Sequence, residues 1–367
     1  MRVNEEPIAY DYRIMRTHRI SPLILAAALA FFPGGCSKSP DSSNGGASSP
    51  APAKGGKKKF AYITNGIDPF WNTAVAGVRA AEKELGVECE VFMPPKGIVD
   101  QKRMVETVLA RGIDGIAISP IDAKNEVDLI NDACSRAPLI TQDSDAPGSK
   151  RLCFVGMDNY KAGRAAGRLV KEAIPAGGKV MLFVGRLEQL NAQQRRQGIM
   201  DELLDRPTQT LDKLTIDPAG QPLKGDKYTI VDTRLDNFDF SRAKANAEDA
   251  LSAYPDLACM IGLFAYNTPA CMEAVKGAHK MGQVKFVSFD ENAAVLQGIK
   301  DGDVHGTISQ QPYLYGYHSV RILNGLANGD KSVVPANGVF DVSIIEVRKA
   351  NVDEFWENLK KQQAAGK

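Results

Sequence analysis

Carboxylates, amides and large aromatic residues recur in this chain directly after short apolar runs. Asn65-Gly66-Ile67-Asp68-Pro69-Phe70-Trp71 follows the first run, Ser119-Pro120-Ile121-Asp122 the third and Asp143-Ser144-Asp145 the fourth. Later come Ala265-Tyr266-Asn267-Thr268, Asp290-Glu291-Asn292 and Gly306-Thr307-Ile308-Ser309-Gln310-Gln311-Pro312-Tyr313. This combination suits a pyranose or furanose, which has flat C–H faces and a rim of hydroxyls. Aromatic rings cover the faces. An ionised carboxylate accepts from neighbouring hydroxyls, and an amide both donates and accepts. Hydrogen bonds to charged groups are the strong ones. A phosphorylated ligand would call for a glycine-rich cradle or several basic residues, and the sequence has neither GxxxxGK[ST] nor a strand-bound GxGxxG.

The same residues argue against catalysis. His279, His305 and His318 are the only histidines after residue 59, and none sits at metal-ligand spacing. There is no GxSxG elbow. Asp143 and Asp145 imitate a glycosidase pair but lie in one loop, whereas acid and nucleophile must flank a bond from opposite sides. No enzymatic activity, cofactor or metal is expected.

The elements that must position these residues alternate. Apolar strand-like runs cover Phe60–Thr64, Val87–Phe92, Ile113–Ser119, Leu139–Gln142, Leu152–Gly156, Lys179–Val184, Tyr228–Asp232, Leu257–Phe264 and Val284–Phe289. Continuous apolar character suits parallel strands covered on both faces. Helical patterns lie between them, at 98–111, 123–136, 160–173, 192–205, 240–253, 269–281, 292–301, 313–328 and 351–361. In the first helix Phe70, Ala74, Val78, Ala81 and Leu85 share a face, and Gly86 ends it. Such alternation predicts α/β architecture with two doubly wound parallel-sheet lobes. Ligands of open parallel sheets bind beyond the C-terminal strand ends, where the polar and aromatic residues stand.

Charge is unevenly spread. The chain of 367 residues carries +1, split as +5 on residues 1–59 and −4 on 60–367. The acidic body argues against a nucleic-acid partner. Leu23–Phe32 is apolar but too short for a spanning helix, which needs roughly 20 residues. With Arg13, Arg16 and Arg19 before it and Pro33-Gly34-Gly35-Cys36 after it, it reads as an export signal. Its end resembles a bacterial lipoprotein signal, in which the cysteine is lipidated; Pro33 departs from the leucine usual there. Residues 1–36 are therefore expected to be a lipoprotein-type signal peptide, with Met15 an alternative start and Cys36 the anchor to a lipid bilayer. Residues 37–59, rich in Ser, Gly, Pro and Lys, are expected to form a disordered linker. Cys89, Cys134, Cys153, Cys259 and Cys271 are odd in number and read best as small buried hydrophobes.

Residues 60–350 resemble the periplasmic sugar-binding proteins of ABC importers, in the branch of the ribose-binding protein. Asp68-Pro69-Phe70-Trp71 resembles that family's polar-Pro-aromatic-aromatic motif. Ser119-Pro120-Ile121-Asp122 and Thr141-Gln142-Asp143 are similar to its two carboxylate-bearing strand ends. Arg195-Arg196-Gln197-Gly198-Ile199 resembles the helix start whose arginine grips the sugar, and Asp239-Phe240-Ser241-Arg242 a loop whose aromatic packs on the ring. Asn267, Asp290 and Gln310 fall on the remaining contacts. The resemblance implies a ligand site made of Asp68, Phe70, Trp71, Asp122, Asp143, Arg195, Phe240, Asn267, Asp290 and Gln310. It implies a monomer that takes a small neutral sugar or polyol and delivers it to ABC permease subunits at the periplasmic face. The alternatives are a sensor presenting ligand to a membrane receptor and, against the residue evidence above, a sugar-processing enzyme.

The resemblance further implies three crossovers, near 142–143, 310–311 and 341. The amino-terminal lobe would hold 60–142 plus 311–341, and the other lobe 143–310 plus 342–361. The connection 206–227 is much longer than the family's and is expected to be functional or mobile. Each site residue also has a structural alternative. Asp68, Asp122, Asn267 and Asp290 suit helix caps; Phe70, Trp71 and Phe240 suit a core. Arg195 could pair with Asp201 or Glu202, and Asp143 and Gln310 could bond only within the hinge.

Overall fold

A computed structural model describes residues 56–365. The leader, Cys36 and most of the expected linker lie outside the described residues. The linker boundary itself moves: Lys59 already belongs to the first strand, paired with Glu88, and its backbone N–H donates to Asp114 Oδ2 at 2.8 Å.

In chain order the first elements are β1 (Lys59–Ile63), α1 (Phe70–Leu85), β2 (Glu88–Phe92), α2 (Ile98–Ala110), β3 (Gly115–Ile118), α3 (Val127–Arg136), β4 (Leu139–Gln142) and β5 (Phe154–Gly156). There follow α4 (Asn159–Ala173), β6 (Gly178–Val184), α5 (Leu190–Leu203), β7 (Leu223–Lys224), β8 (Tyr228–Leu235), α6 (Phe240–Ala253), β9 (Leu257–Gly262) and α7 (Asn267–Gly277). The chain ends with β10 (Lys285–Phe289), α8 (Ala293–Asp301), β11 (Gly306–Ser309), α9 (Pro312–Ala327), β12 (Val339–Asp341), β13 (Ile345–Val347) and α10 (Val352–Ala365).

Two sheets result, as the alternation of strands and helices predicts. The first has the order β12-β5-β4-β3-β1-β2 and is parallel throughout. The second has the order β13-β11-β10-β9-β6-β8-β7, with only the edge strands β13 and β7 antiparallel. Strand residues such as Ile63, Ile116, Ile118, Val180, Leu182, Ile261 and Phe289 are buried on both faces, because helices cover each side. In the first helix Ala74, Val78 and Ala81 are fully buried. Gly86 ends it in the left-handed conformation at φ 67°. In each lobe a glycine pair lets two helices cross at backbone contact. A Cβ on Gly77 would stand 1.9 Å from Tyr313 O, between α1 and α9, and one on Gly198 2.1 Å from Tyr160 O, between α4 and α5.

The first crossover is not at 142–143. Strand β5 pairs in parallel with β4 and β12, so residues 143–156 stay with the first sheet and the chain crosses at 157–158. The burial of Phe154 and Val155 and their register with Thr141 and Gln142 hold the segment there. The chain returns between β11 and α9, where Gln311 has φ 56°, and crosses a third time between β12 and β13. Helix α10 buries Val352 and Leu359 in the second lobe, and Asp353 pairs with Lys300 at the end of α8. Its last turn reaches the first lobe, where Gln363 Nε2 donates to Thr73 Oγ1 at 2.9 Å.

The long 206–227 connection is pinned to α5. Arg196 donates to Asp217 O (2.6 Å) and Pro218 O (2.9 Å), Gln197 Nε2 to Asp217 Oδ2 (3.0 Å), and Arg206 pairs with Asp217 and Asp201. Its β7 adds an edge to β8. Of the five described cysteines all are unpaired; Cys89, Cys153, Cys259 and Cys271 are buried and Cys134 is half-buried. Among the described residues no helix is long and apolar enough to cross a membrane.

Candidate functional site

The C-terminal strand ends of both sheets face one small cavity, of about 40 Å³. Its walls come from Asn65, Asp68, Phe70, Trp71 and Asp143 of the first lobe and from Arg195, Asp290 and neighbouring residues of the second, with Gln310 at a crossover.

Arg195 is the central residue. Its side chain is fully buried. Nε donates to Asn159 Oδ1 (2.8 Å), Nη1 to Leu263 O (3.0 Å) and Nη2 to Gln310 Oε1 (2.7 Å). The guanidinium also lies over the Phe264 and Phe289 rings, at 5.7 and 5.1 Å. Three of its five N–H donors are thus engaged, and two remain. Arg195 does not pair with Asp201 or Glu202: Asp201 bonds Tyr160 and Gln197, and Glu202 pairs with Arg164.

Around it stand buried carboxylates. Asp143 follows β4 at φ 60°. Its Oδ2 accepts from Ser119 Oγ (2.8 Å), Asn65 Nδ2 (3.2 Å) and, across the lobes, Asn191 Nδ2 (3.3 Å). Asp290 follows β10 at φ 72° and accepts from Gln310 Nε2 at 2.5 Å. Non-glycine residues at positive φ cost about 1–3 kcal/mol and cluster at functional sites. Burial raises the pKa of both carboxylates, opposed by the Arg195 charge. Glu291, which accepts from Ser309 Oγ and the Gln311 N–H, is raised by burial too. Gln310 links the set, receiving Arg195 and the Tyr315 hydroxyl (3.3 Å) and donating to Asp290.

Asp68 stands just before α1, holds its first N–H and faces the cavity with the same carboxylate. Oδ1 accepts from Phe70 N–H at 2.7 Å, whereas Oδ2 is buried without a partner among the described residues. Burial raises its pKa. Phe70 and Trp71 form an edge-on pair at 5.0 Å; Trp71 is almost wholly buried but keeps one side on the cavity.

Three expected residues do not line the cavity. Asp122 holds the turn before α3, accepting from Lys124 N–H and Asn125 N–H at 3.0 Å, and lines a separate opening with Lys124 and Leu187. Phe240 is half-exposed at the outer mouth, beside Asn72 and Gln363. Asn267 is fully buried behind the wall, accepting from Phe264 N–H (3.0 Å) and donating to Asp236 (2.8 Å). Asp236 also receives the Tyr266 hydroxyl at 2.6 Å, and burial pushes its pKa up to about 6.

The aromatic wall is built instead by Phe238, Phe264 and Tyr266. Phe238 and Phe264 are stacked at 5.7 Å, 11° from parallel. The sequence places Phe238 and Phe240 two apart in one loop; Asn237 and Phe238, at φ 57° and 64°, turn the earlier ring inward. Gln189 and Asn191 were also missed. Gln189 closes the loop after β6 and Asn191 stands in the first turn of α5, both just beyond a strand end, so the rule that singled out the other loops covers them.

Among the described residues no group of His, Cys, Asp and Glu could hold a metal ion. Two lobes of parallel sheet, a three-stranded crossover and a small cavity of carboxylates, amides and aromatics define a two-lobed binding protein.

Comparison with known proteins agrees. Residues 60–331 match the model of the periplasmic binding protein domain. A D-ribose/D-allose-binding protein of Pseudomonas aeruginosa is 27% identical over 268 residues, covering 69% of this chain and 77% of that protein. The ribose import binding protein of Bacillus subtilis is 23% identical, covering 76% of this chain and 85% of that protein. A solved ABC transporter solute-binding protein of Burkholderia graminis, in complex with D-arabinose, superposes with a TM-score of 0.71 at 25% identity, over 80% of this chain and 96% of that one. The chain belongs to the periplasmic binding protein family, in its ribose-binding-like, sugar-binding branch. That branch consists of transport proteins of the extracytoplasmic space, not enzymes.

Proposed function

We propose that the protein captures a monosaccharide or polyol between its lobes and delivers it to the membrane subunits of an ABC permease. The observation that carries this reading is the Arg195–Gln310–Asp290 chain of hydrogen bonds beside the stacked Phe238 and Phe264 rings. It joins charged and amide groups for hydroxyls to an aromatic face for C–H groups in one small cavity. Asp68, Phe70, Trp71, Asp143, Arg195, Asp290 and Gln310 are the proposed contacts. Contacts from both lobes to one ligand favour closure about the crossovers. The names of the relatives support pentoses and hexoses as first candidates. Export with a lipid anchor at Cys36 completes the proposal and would hold a monomer near its permease.

Thermal-shift and calorimetric titration against aldopentoses, aldohexoses and polyols tests it. Micromolar or tighter binding of one of them, unchanged by EDTA, is expected. An amino acid as the sole ligand, or binding lost with EDTA, would overturn it. Labelled-sugar uptake in cells with and without the protein separates an importer from a sensor.

A further inference from the structure

Gln189 ends the loop between β6 and α5, at the N-cap position of the helix, yet its side chain makes no cap bond. The residue is 0% exposed. It lines the cavity, and neither Oε1 nor Nε2 has a hydrogen-bond partner among the described residues. Burying a primary amide unpaired is unfavourable. Its polar neighbours on the wall differ: Asn191 bonds Asp143, Arg195 makes three bonds, and Gln310 bonds Arg195 and Asp290. The protein interior therefore holds those groups, and Gln189 is held by nothing but the cavity it faces.

We propose that Gln189 is a specificity-determining contact, whose amide donates to one oxygen of the bound sugar and accepts from a hydroxyl. This rests on the sugar reading above. An amide that needs both a donor and an acceptor from its ligand discriminates strongly against an analogue lacking one hydroxyl, because the buried group is then left unpaired again. The first lobe presents the matching feature, the unpartnered Oδ2 of Asp68. A sugar that meets both satisfies one buried group on each lobe. Recognition of its hydroxyl pattern and closure of the lobes are then one event.

The test uses the mature exported chain, Gln189→Leu and Gln189→Met, and the tightest-binding sugar of the panel with its monodeoxy analogues. Without ligand, both variants should melt at or above the wild-type temperature, because an unpaired amide has been replaced by apolar atoms. Affinity for the sugar should fall about 10–100-fold. For one monodeoxy analogue, wild type and variants should bind equally, identifying the hydroxyl that Gln189 reads. Unaltered affinity and unaltered ranking of the analogues would overturn the proposal. So would ligand-free melting several degrees below wild type in both variants, since the amide would then be held by the interior. Wild-type protein that binds no sugar at all would sink the sugar reading and this proposal together, whereas wild-type binding left intact in the variants sinks this proposal alone.

Discussion

Replacing Arg195 by alanine tests the electrostatic design of the site. The substitution removes the donor from Asn159 Oδ1, Leu263 O and Gln310 Oε1, and the cation that stands 4.0 Å from Asp143. All of this happens at a fully buried position. Breaking a buried charge pair by deleting one partner costs about 3–5 kcal/mol. At roughly 2–4 °C per kcal/mol for units of this size, the ligand-free protein should melt about 6–20 °C lower. The loss should depend on pH. Burial raises the Asp143 and Asp290 pKa values, and Arg195 opposes that rise. Without the guanidinium they rise further. A carboxyl whose folded pKa lies above its unfolded value contributes stability in acid that is lost as pH climbs through the folded value. The gap between wild type and Arg195→Ala should therefore be larger at pH 8 than at pH 5. Arg195→Lys should recover part of the stability but little of the sugar affinity, because an ammonium cannot reproduce the planar fork. Scanning calorimetry at the two pH values, followed by titration with sugar, reads all of this. An Arg195→Ala variant that melts within about 2 °C of wild type at both pH values would refute the reasoning.

Other predictions concern separate parts of the molecule. Glu126 is buried, its Oε2 accepts from the Ile121 and Asp122 N–H groups, and burial pushes its pKa up to about 7. Its contribution is complete in acid and lost as pH rises through 7, so Glu126→Gln should match wild type at pH 5 and exceed it at pH 8 by about 1–3 kcal/mol in urea unfolding; equal stability at pH 8 would count against it. Gln363→Ala removes the bond from α10 to Thr73 across the lobes, and stopped-flow should show sugar leaving about 2–5-fold faster. An unchanged off-rate would mean the contact plays no part in closure. Cys36→Ser should move the protein from the detergent to the aqueous phase in a Triton X-114 partition, and unchanged partition would end the lipid-anchor proposal.

Much of the fold was legible because parallel strands buried on both faces leave long apolar runs and glycine-ended helices. The expected 240–253 helix is α6 to the residue, since Asp239 accepts from Ser241 and Arg242 N–H and fixes its start. The first crossover was misplaced because Leu152–Gly156 reads as a strand without revealing which sheet it joins; pairing with β12, nearly two hundred residues later, decides that. Within the site, residues fixed by a strand end, such as Asp143 and Asp290, were readable from sequence. Phe238 and Phe240 were not separable, because the choice between them rests on two consecutive left-handed backbone conformations. Gln189 carries no motif; its unpaired burial is visible only in three dimensions. Asp122 shows the converse, a carboxylate that holds the turn before α3 in a loop where the resemblance implied a ligand contact.

The placement of β12 and α9 has a consequence for how the chain is made. The first sheet begins at Lys59 and is completed by Val339–Asp341, while α9, which packs against α1, follows the whole second sheet up to β11. Its native contacts therefore have very high sequence separation, and such topologies fold slowly because loop closure must precede the contacts that reward it. On a ribosome or in a translocation channel, the amino-terminal half emerges long before its edge strand and covering helix exist. It cannot reach its final packing early. In a chain of an extracytoplasmic family this delay falls on the first lobe alone, because the strands β6 to β11 of the second sheet follow one another without interruption.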